Sequence, residues 1–490
     1  MAAAGRIDAV IVVLDGLRPD MVTPDVMPNL TKFQAQATTY TNASGVFPSV
    51  TPVAAASIAT GALPGQHGVL GSEVYWRGLA RDRVLDLSDH RVARGADQAS
   101  PGGLIGMATL ADTLAAAMRR VAIVDGGAPV ASTLLNPRAA RHGHWSFSTV
   151  DRLATPTPMA WDEVVSRFGY PPERGLPRFD EVRFATDVLV DHVIGTLVPS
   201  LAVLWLTEPD ATSRYREPGA METESALRHA DRQLGRVLAA IERRQVLDDT
   251  LVIVASDHGQ ISAEGEINVG QQMRLAQLPV GDRTHINGAG LVFAGRGYGS
   301  ITATAPGHEL EDRAARWLME QPWVGNVLTA GGNGVEGRVP GTLSLELAGL
   351  AHERAPGVVF TFASDTGLDR NGVAGRGLHD SGLVGCRGTH GGLNPYEMST
   401  VLMIAGPGFA RGQSSNATAG ILDIAPTVLA RLGLPPLAGA VGRDLAGVEA
   451  EEPRRTIRVE AGRGSYAQHI VVAEAGARRI EAGARAGVGC

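Results

Sequence analysis

The chain reads as an α/β protein built on a wound, largely parallel sheet, and three observations predict it. Apolar, β-branched runs recur at residues 7–14, 201–206 and 251–255, the pattern of strands buried on both faces. Segments with helical spacing alternate with these runs through the first 260 residues. Each run is followed within a few residues by an aspartate, and a wound sheet places its ligands beyond the carboxyl ends of its strands.

Taken in order, residues 7–14 form the first strand and lead into Asp15. A helix is expected over 28–37, opened by Pro28. Thr51 has the chemistry of an N-cap: Pro52 suits the first helical position, 53–59 can run as helix, and Gly61 suits the stop. Further helices are expected at 104–119, 179–197 and 221–244, the last with an apolar face of Leu227, Leu234, Leu238 and Ile241. The strands at 201–206 and 251–255 precede Asp210 and Asp257.

After His258 the pattern changes. Residues 262–380 mix short strand-like runs (291–294, 358–363), one helix near 310–320 and many glycines. They are expected to form an inserted cap subdomain between a first part of the core, 1–261, and a second, 381–450. The second part holds a strand at 400–405 and a helix at 421–432, ended by Gly433 and Pro435. The tail, 451–490, is expected to hold short strands at 456–460, 469–473 and 478–481.

The polar residues at the strand ends carry the chemistry. A single Asp after a strand is ordinarily a cap or turn residue. Asp15, Asp210 and Asp257 in register, with His258 in the word Ser256-Asp257-His258-Gly259, instead gather three carboxylates and an imidazole on one rim. A hydroxyl at a helix start, as at Thr51, meets backbone N–H groups and the positive end of the helix dipole, which favour an alkoxide and a phosphoryl group bonded to it. A divalent cation held by Asp15, Asp257 and His258 would make that hydroxyl ionisable near neutral pH. A plain capping threonine is the alternative.

The stretches Phe47-Pro48-Ser49-Val50-Thr51, Ser57-Ile58-Ala59-Thr60-Gly61 and Pro64-Gly65-Gln66-His67-Gly68-Val69 resemble the alkaline phosphatase superfamily, in its nucleotide pyrophosphatase/phosphodiesterase and phosphonoacetate hydrolase branches. So do Val13-Leu14-Asp15-Gly16-Leu17-Arg18-Pro19, Glu208-Pro209-Asp210, Gly388-Thr389-His390-Gly391-Gly392 and Asp423-Ile424-Ala425-Pro426-Thr427. The resemblance implies an alkaline-phosphatase-like sheet flanked by helices and two divalent metals, usually zinc, about 4 Å apart. Manganese or iron would suit the same donors. By the resemblance, Asp15, Thr51, Asp257 and His258 match the metal site that holds the nucleophile, while Asp210 and His390 match two ligands of the other.

Two positions depart from that pattern. The family's remaining ligand is a histidine four residues after the Asp, where this chain has Arg214, and a guanidinium cannot ligate a cation. Three arrangements stay open. There is one metal, with Arg214 gripping phosphoryl oxygens in place of the second; or another residue such as Glu208, His285 or His379 replaces the histidine; or Arg214 points away and pairs with a carboxylate. The second departure is Ser72, which stands where the family has an asparagine directed at a phosphoryl oxygen, and it keeps a donor of shorter reach.

The function implied is a metal-dependent phosphohydrolase that uses Thr51 as nucleophile on a phosphodiester or nucleotide pyrophosphate-type small molecule. One alternative is phosphonate P–C hydrolysis, which needs a clamp for the substrate carboxylate; the sole lysine, Lys32, has no evident link to the site, and Arg138 or Arg141 are the other cations considered. An alternative of another class is a phospho-ligand binding protein with weakened catalysis. A nucleotide would call for an aromatic slot, with Phe47, Tyr75, Trp76 and Tyr215 as candidates. His142 and His144 are left as loop residues, and Cys386 as a buried thiol.

Composition narrows the classes. A chain of 490 residues with 44% hydrophobic residues supports a core plus an insertion. Net charge −7 and the lack of a basic run argue against a nucleic acid polymer as partner. No apolar run approaches 18 residues, so no membrane-spanning helix is expected, and residues 1–5 leave no room for a signal peptide. Two cysteines, Cys386 and Cys490, make no disulfide framework, and a cytoplasmic location is expected.

Overall fold

The computed structural model describes residues 6–244, 249–284, 286, 288–475 and 477–486. Its centre is an eight-stranded sheet in the order Gln413–Gly420, Thr38–Ser44, Leu402–Ala405, Leu251–Ala255, Ala9–Leu14, Leu201–Leu206, Val121–Gly126, Trp145–Ser148. All strands run one way except Leu402–Ala405, which is antiparallel to both neighbours. The sheet is therefore the expected wound α/β core with one reversed strand.

Burial on both faces explains the unbroken apolar runs. Ile11, Val13, Ile253 and Ala255 pack toward the helix Thr51–Thr60, while Val10, Val12, Leu14, Val252 and Val254 pack toward the helix Met221–Arg243 through Leu227, Leu234 and Ile241. The register sets Leu14 opposite Leu206 and Val13 opposite Ala255. Continued by one or two residues, that register sets Asp15, Thr207 and Asp257 at one level, which brings the polar words around them to a common edge.

Several boundaries differ from the sequence reading. The helix expected over 104–119 is confined to Leu110–Ala116, because Thr109 and Asp112 form a reciprocal capping box that starts it. Thr51 is the first helical residue and Val50 the cap, with no side chain capping the helix. Gly61 ends it in the left-handed region, φ 64°.

Residues 262–380 contain a five-stranded sheet, ordered Leu291–Ala294, Tyr298–Ala303, Val358–Phe362, Val324–Thr329, Leu343–Ser344. It buries its own cluster around Phe360, Trp323 and Leu318 of the helix Glu309–Glu320. The expected boundaries at 261 and 380 both fall within one four-stranded sheet, where Ile261–Glu266 pairs with Ala374–His379 and with Gly388–Thr389. The second of these pairings carries the chain to His390.

The tail is more regular than expected. Arg455–Arg463, Tyr466–Ala475 and Ala477–Arg485 form a continuous antiparallel sheet. Its middle strand buries Ile470 and Val472 in the main core cluster, and Arg479 forms a buried two-pronged pair with Asp423, both contacts at 2.6 Å. The exposed edge strand Arg455–Arg463 carries Arg455, Arg458, Glu460 and Arg463, charges that discourage further strand pairing. Among the described residues no helix is long and apolar enough to cross a membrane.

Candidate active site

Every residue the sequence singled out for the chemistry reaches the same edge of the central sheet. Asp15, Thr51, Ser72, Asp210, Arg214 and His390 line one cavity of about 450 Å³, and Asp257 and His258 lie buried directly behind it. Thr51 Oγ1 lies 3.4 Å from His258 Nε2. The same nitrogen is 3.6 Å from Asp15 Oδ1 and 3.3 Å from Asp257 Oδ2. His258 and His390 stack with ring centroids 3.9 Å apart.

Short-range structure holds these groups in place. Asp257 Oδ1 accepts the backbone N–H groups of Gly16 at 3.1 Å and His258 at 2.9 Å. Gly16 sits at φ 74°, and a Cβ there would stand 2.9 Å from Asp210 Cβ, so only glycine permits both the turn and the approach. Trp205 Nε1 donates to Asp15 Oδ2 at 2.9 Å. The carbonyl of His390 packs against Gly297, where a Cβ would come within 1.7 Å of it; the five-stranded sheet thereby reaches the cavity, which Arg296 and Gly297 also line.

The two halves of the site differ in electrostatics. Burial, then Asp257 and Asp210, push the Asp15 carboxyl well above its usual range. Burial likewise lifts Asp257 to about 7, against the lowering effect of the Gly16 N–H. Burial would raise Asp210 too, but the Arg214 guanidinium, then His390 and His258, hold it at about 2. Burial, His258 and Arg214 depress the His390 imidazole well below its ordinary value.

Two groups of donors are arranged as metal ligands are: Asp15, Asp257 and His258, and Asp210, His258 and His390. The first group fits a divalent cation. Asp15 Oδ1 and Asp257 Oδ2 are buried without any hydrogen-bond partner, a costly arrangement that a cation between them and His258 Nε2 would relieve. The second group does not fit, because Arg214 Nη2 donates to Asp210 Oδ2 at 2.7 Å and contacts His390 Nε2 at 2.8 Å. A guanidinium therefore faces the lone pairs an ion would need.

Other candidates are placed elsewhere. Glu208 is buried against Thr212 and the Arg178 N–H, and His379 accepts from the Ser381 N–H; neither belongs to a ligand group. His285 lies outside the described residues. Arg138 and His142 pair with Asp112, and His144 with Asn136. Phe47 packs on Tyr298 and Trp76 under Arg354, and no Phe, Tyr or Trp is among the residues lining the cavity. Cys386 lines the cavity half-buried, its Sγ 3.3 Å from the Gly388 carbonyl.

Sequence reasoning missed Trp205 and Gln260. Gln260 Nε2 donates to Asp210 Oδ1 at 3.2 Å, and its position two residues after His258 was an available signal. Trp205 lies inside an apolar strand and carries no polar signal.

A mostly parallel sheet thus gathers a threonine, three carboxylates and two imidazoles at one edge, and the family that the sequence matches is one of hydrolases. The chain belongs to the type I phosphodiesterase / nucleotide pyrophosphatase family, whose sequence profile matches residues 9–329. Among solved structures, wild-type alkaline phosphatase PafA is similar with a TM-score of 0.65 at 16% identity, covering 91% of this chain and 99% of that one. An inactive variant of murine ectonucleotide pyrophosphatase/phosphodiesterase 5, in complex with AMP, gives a TM-score of 0.57 at 14% identity, covering 88% and 96%. The human counterpart gives 0.57 at 15% identity, covering 87% and 95%. No curated protein sequence matches the chain significantly.

Proposed function

We propose that the protein is a metal-dependent phosphohydrolase in which Thr51 attacks a phosphodiester or pyrophosphate linkage of a small molecule. The observation that carries this reading is the pair of partnerless buried oxygens, Asp15 Oδ1 and Asp257 Oδ2, beside His258 Nε2 and Thr51 Oγ1. Asp15, Asp257, His258 and Thr51 would hold a divalent ion, which would supply the charge that makes the hydroxyl ionisable; zinc suits the mixed N and O donors, as do manganese and iron.

The protein's own groups do the remaining work. Thr51 heads a helix that no side chain caps, so the helix dipole favours negative charge at its oxygen. Trp205 holds Asp15, and the Gly16 N–H holds Asp257. Thr51 Oγ forms a bond to phosphorus as the bond to the leaving oxygen breaks, and water then cleaves the phosphothreonine. Ser72 and Arg214 face the same cavity and supply donors to phosphoryl oxygens.

The lining favours recognition of the phosphoryl group over that of a base, because the cavity presents guanidinium groups and no Phe, Tyr or Trp ring. A soluble, cytoplasmic location remains part of the proposal. The test is turnover of a chromogenic phosphodiester and a phosphomonoester by purified protein loaded with Zn2+ or Mn2+, beside Thr51→Ala. Turnover of neither substrate, with the ion bound, would defeat this reading and leave the phospho-ligand binding protein.

A further inference from the structure

We propose that Arg214 is a built-in cation standing in place of a second ion, so that the site works with one divalent metal and one guanidinium. The inference rests on the reading above and adds to it the composition of the site.

The tautomer of His390 carries the first step. Its Nδ1 is 2.8 Å from the Ser49 carbonyl, which can only accept, so Nδ1 bears the proton and Nε2 offers a lone pair. That lone pair meets Arg214 Nη2 at 2.8 Å. Asp210 is engaged in the same way: Oδ2 accepts from Arg214 Nη2 and Oδ1 from Gln260 Nε2. Both oxygens of Asp210 and Nε2 of His390 thus each meet an N–H group, whereas Asp15 Oδ1 and Asp257 Oδ2 are left open.

Position and charge agree with this. Arg214 follows Asp210 by one turn of the helix Asp210–Arg216, so both side chains leave one helix face toward His390. A guanidinium keeps its proton in proteins, and the adjoining Asp210 and Asp15 carboxylates raise its pKa further against the effect of burial. Three carboxylates then face one divalent ion and one guanidinium, and the charges cancel. Arg214 lines the cavity, and its Nε and Nη1 donors have no hydrogen-bond partner among the described residues, which leaves part of the fork for a phosphoryl oxygen.

The experiment is metal content per chain after equilibrium dialysis of the full-length protein against Zn2+, read by elemental analysis. The expected results are one ion in the wild type, none in Asp257→Asn, one in Asp210→Asn and two in Arg214→His, where an imidazole takes up the ligand position. Two ions in the wild type, loss of the ion in Asp210→Asn, or an unchanged single ion in folded Arg214→His would each overturn the proposal while leaving the hydrolase reading standing. No ion in the wild type would overturn both. The wild type and Asp210→Asn decide the matter even if Arg214→His fails to fold.

Discussion

The two halves of the candidate site are built from the same residue types on the same sheet edge, yet they end in opposite electrostatic states. On one side Asp15 is held by one fixed donor and Asp257 by two backbone N–H groups at a single oxygen, each keeps one open oxygen, and burial pushes both carboxyls up. On the other side Asp210 and His390 close around Arg214, and Asp210 is held at about 2. A carboxylate at a strand end therefore says little about metal binding by itself; whether a permanent cation reaches it first decides. The stacked His258 and His390 rings are the seam between the halves.

The largest effect is expected from Thr51→Ala, which should lower turnover by roughly 10³-fold or more while the bound ion stays; loss of the ion as well would mean that Thr51 matters mainly as a ligand. Arg214→Ala should cost about 3–5 kcal/mol of stability in denaturant titration, because Asp210 is left buried without its partner, and added Zn2+ should recover part of it. An unchanged midpoint would mean that Asp210 is tolerated alone.

Smaller effects separate the halves more cleanly. Trp205→Phe removes the donor to Asp15 and should weaken ion binding by about 10-fold or more, whereas Gln260→Ala, whose amide contacts Asp210 and Ser213 and neither Asp15 nor Asp257, should leave ion affinity within error. Equal losses would erase the distinction between the halves.

The smallest effect is a pH response of the scaffold. Burial lifts Glu397 and Asp125 each to about 7, against the backbone and side-chain donors that favour their charged forms. Each folded-state value lies above the unfolded one, so their contribution is complete below the unfolded pKa and is lost as pH rises toward 7. Thermal midpoints should fall between pH 5 and pH 8 in metal-free protein, and Glu397→Gln should flatten that slope. A midpoint that rises over the same interval would show that the buried imidazoles of His67 and His390, which burial holds neutral, outweigh the carboxyls.

Much of the candidate site was legible because it is written in local words. Asp15, Asp257 and His258 follow apolar runs directly, and Thr51 precedes Pro52 with Gly61 at the far end, so strand period and helix punctuation place them without tertiary knowledge. The cap boundaries were less legible, because Ile261–Glu266 pairs with strands more than a hundred residues away. The tail showed the same limit: its apolar residues are too sparse to announce long strands, and Ile470 and Val472 find their core only against distant elements. The aromatic slot failed for a related reason, since Phe47 and Trp76 lie near the motifs in sequence but spend their faces on Tyr298 and Arg354.

The wound α/β core, the strand ends that meet at the candidate site and an arginine where the resemblance implies a metal ligand were all written in the sequence. Only the tertiary structure decided what that arginine does. The helix directs Arg214 toward Asp210 through spacing alone, but His390 arrives from a strand pair 176 residues further on, with its tautomer set by the Ser49 carbonyl. Periodicity encodes which face of an element is buried; which lone pair meets which N–H group is settled only when elements from distant parts of the chain pack against one another.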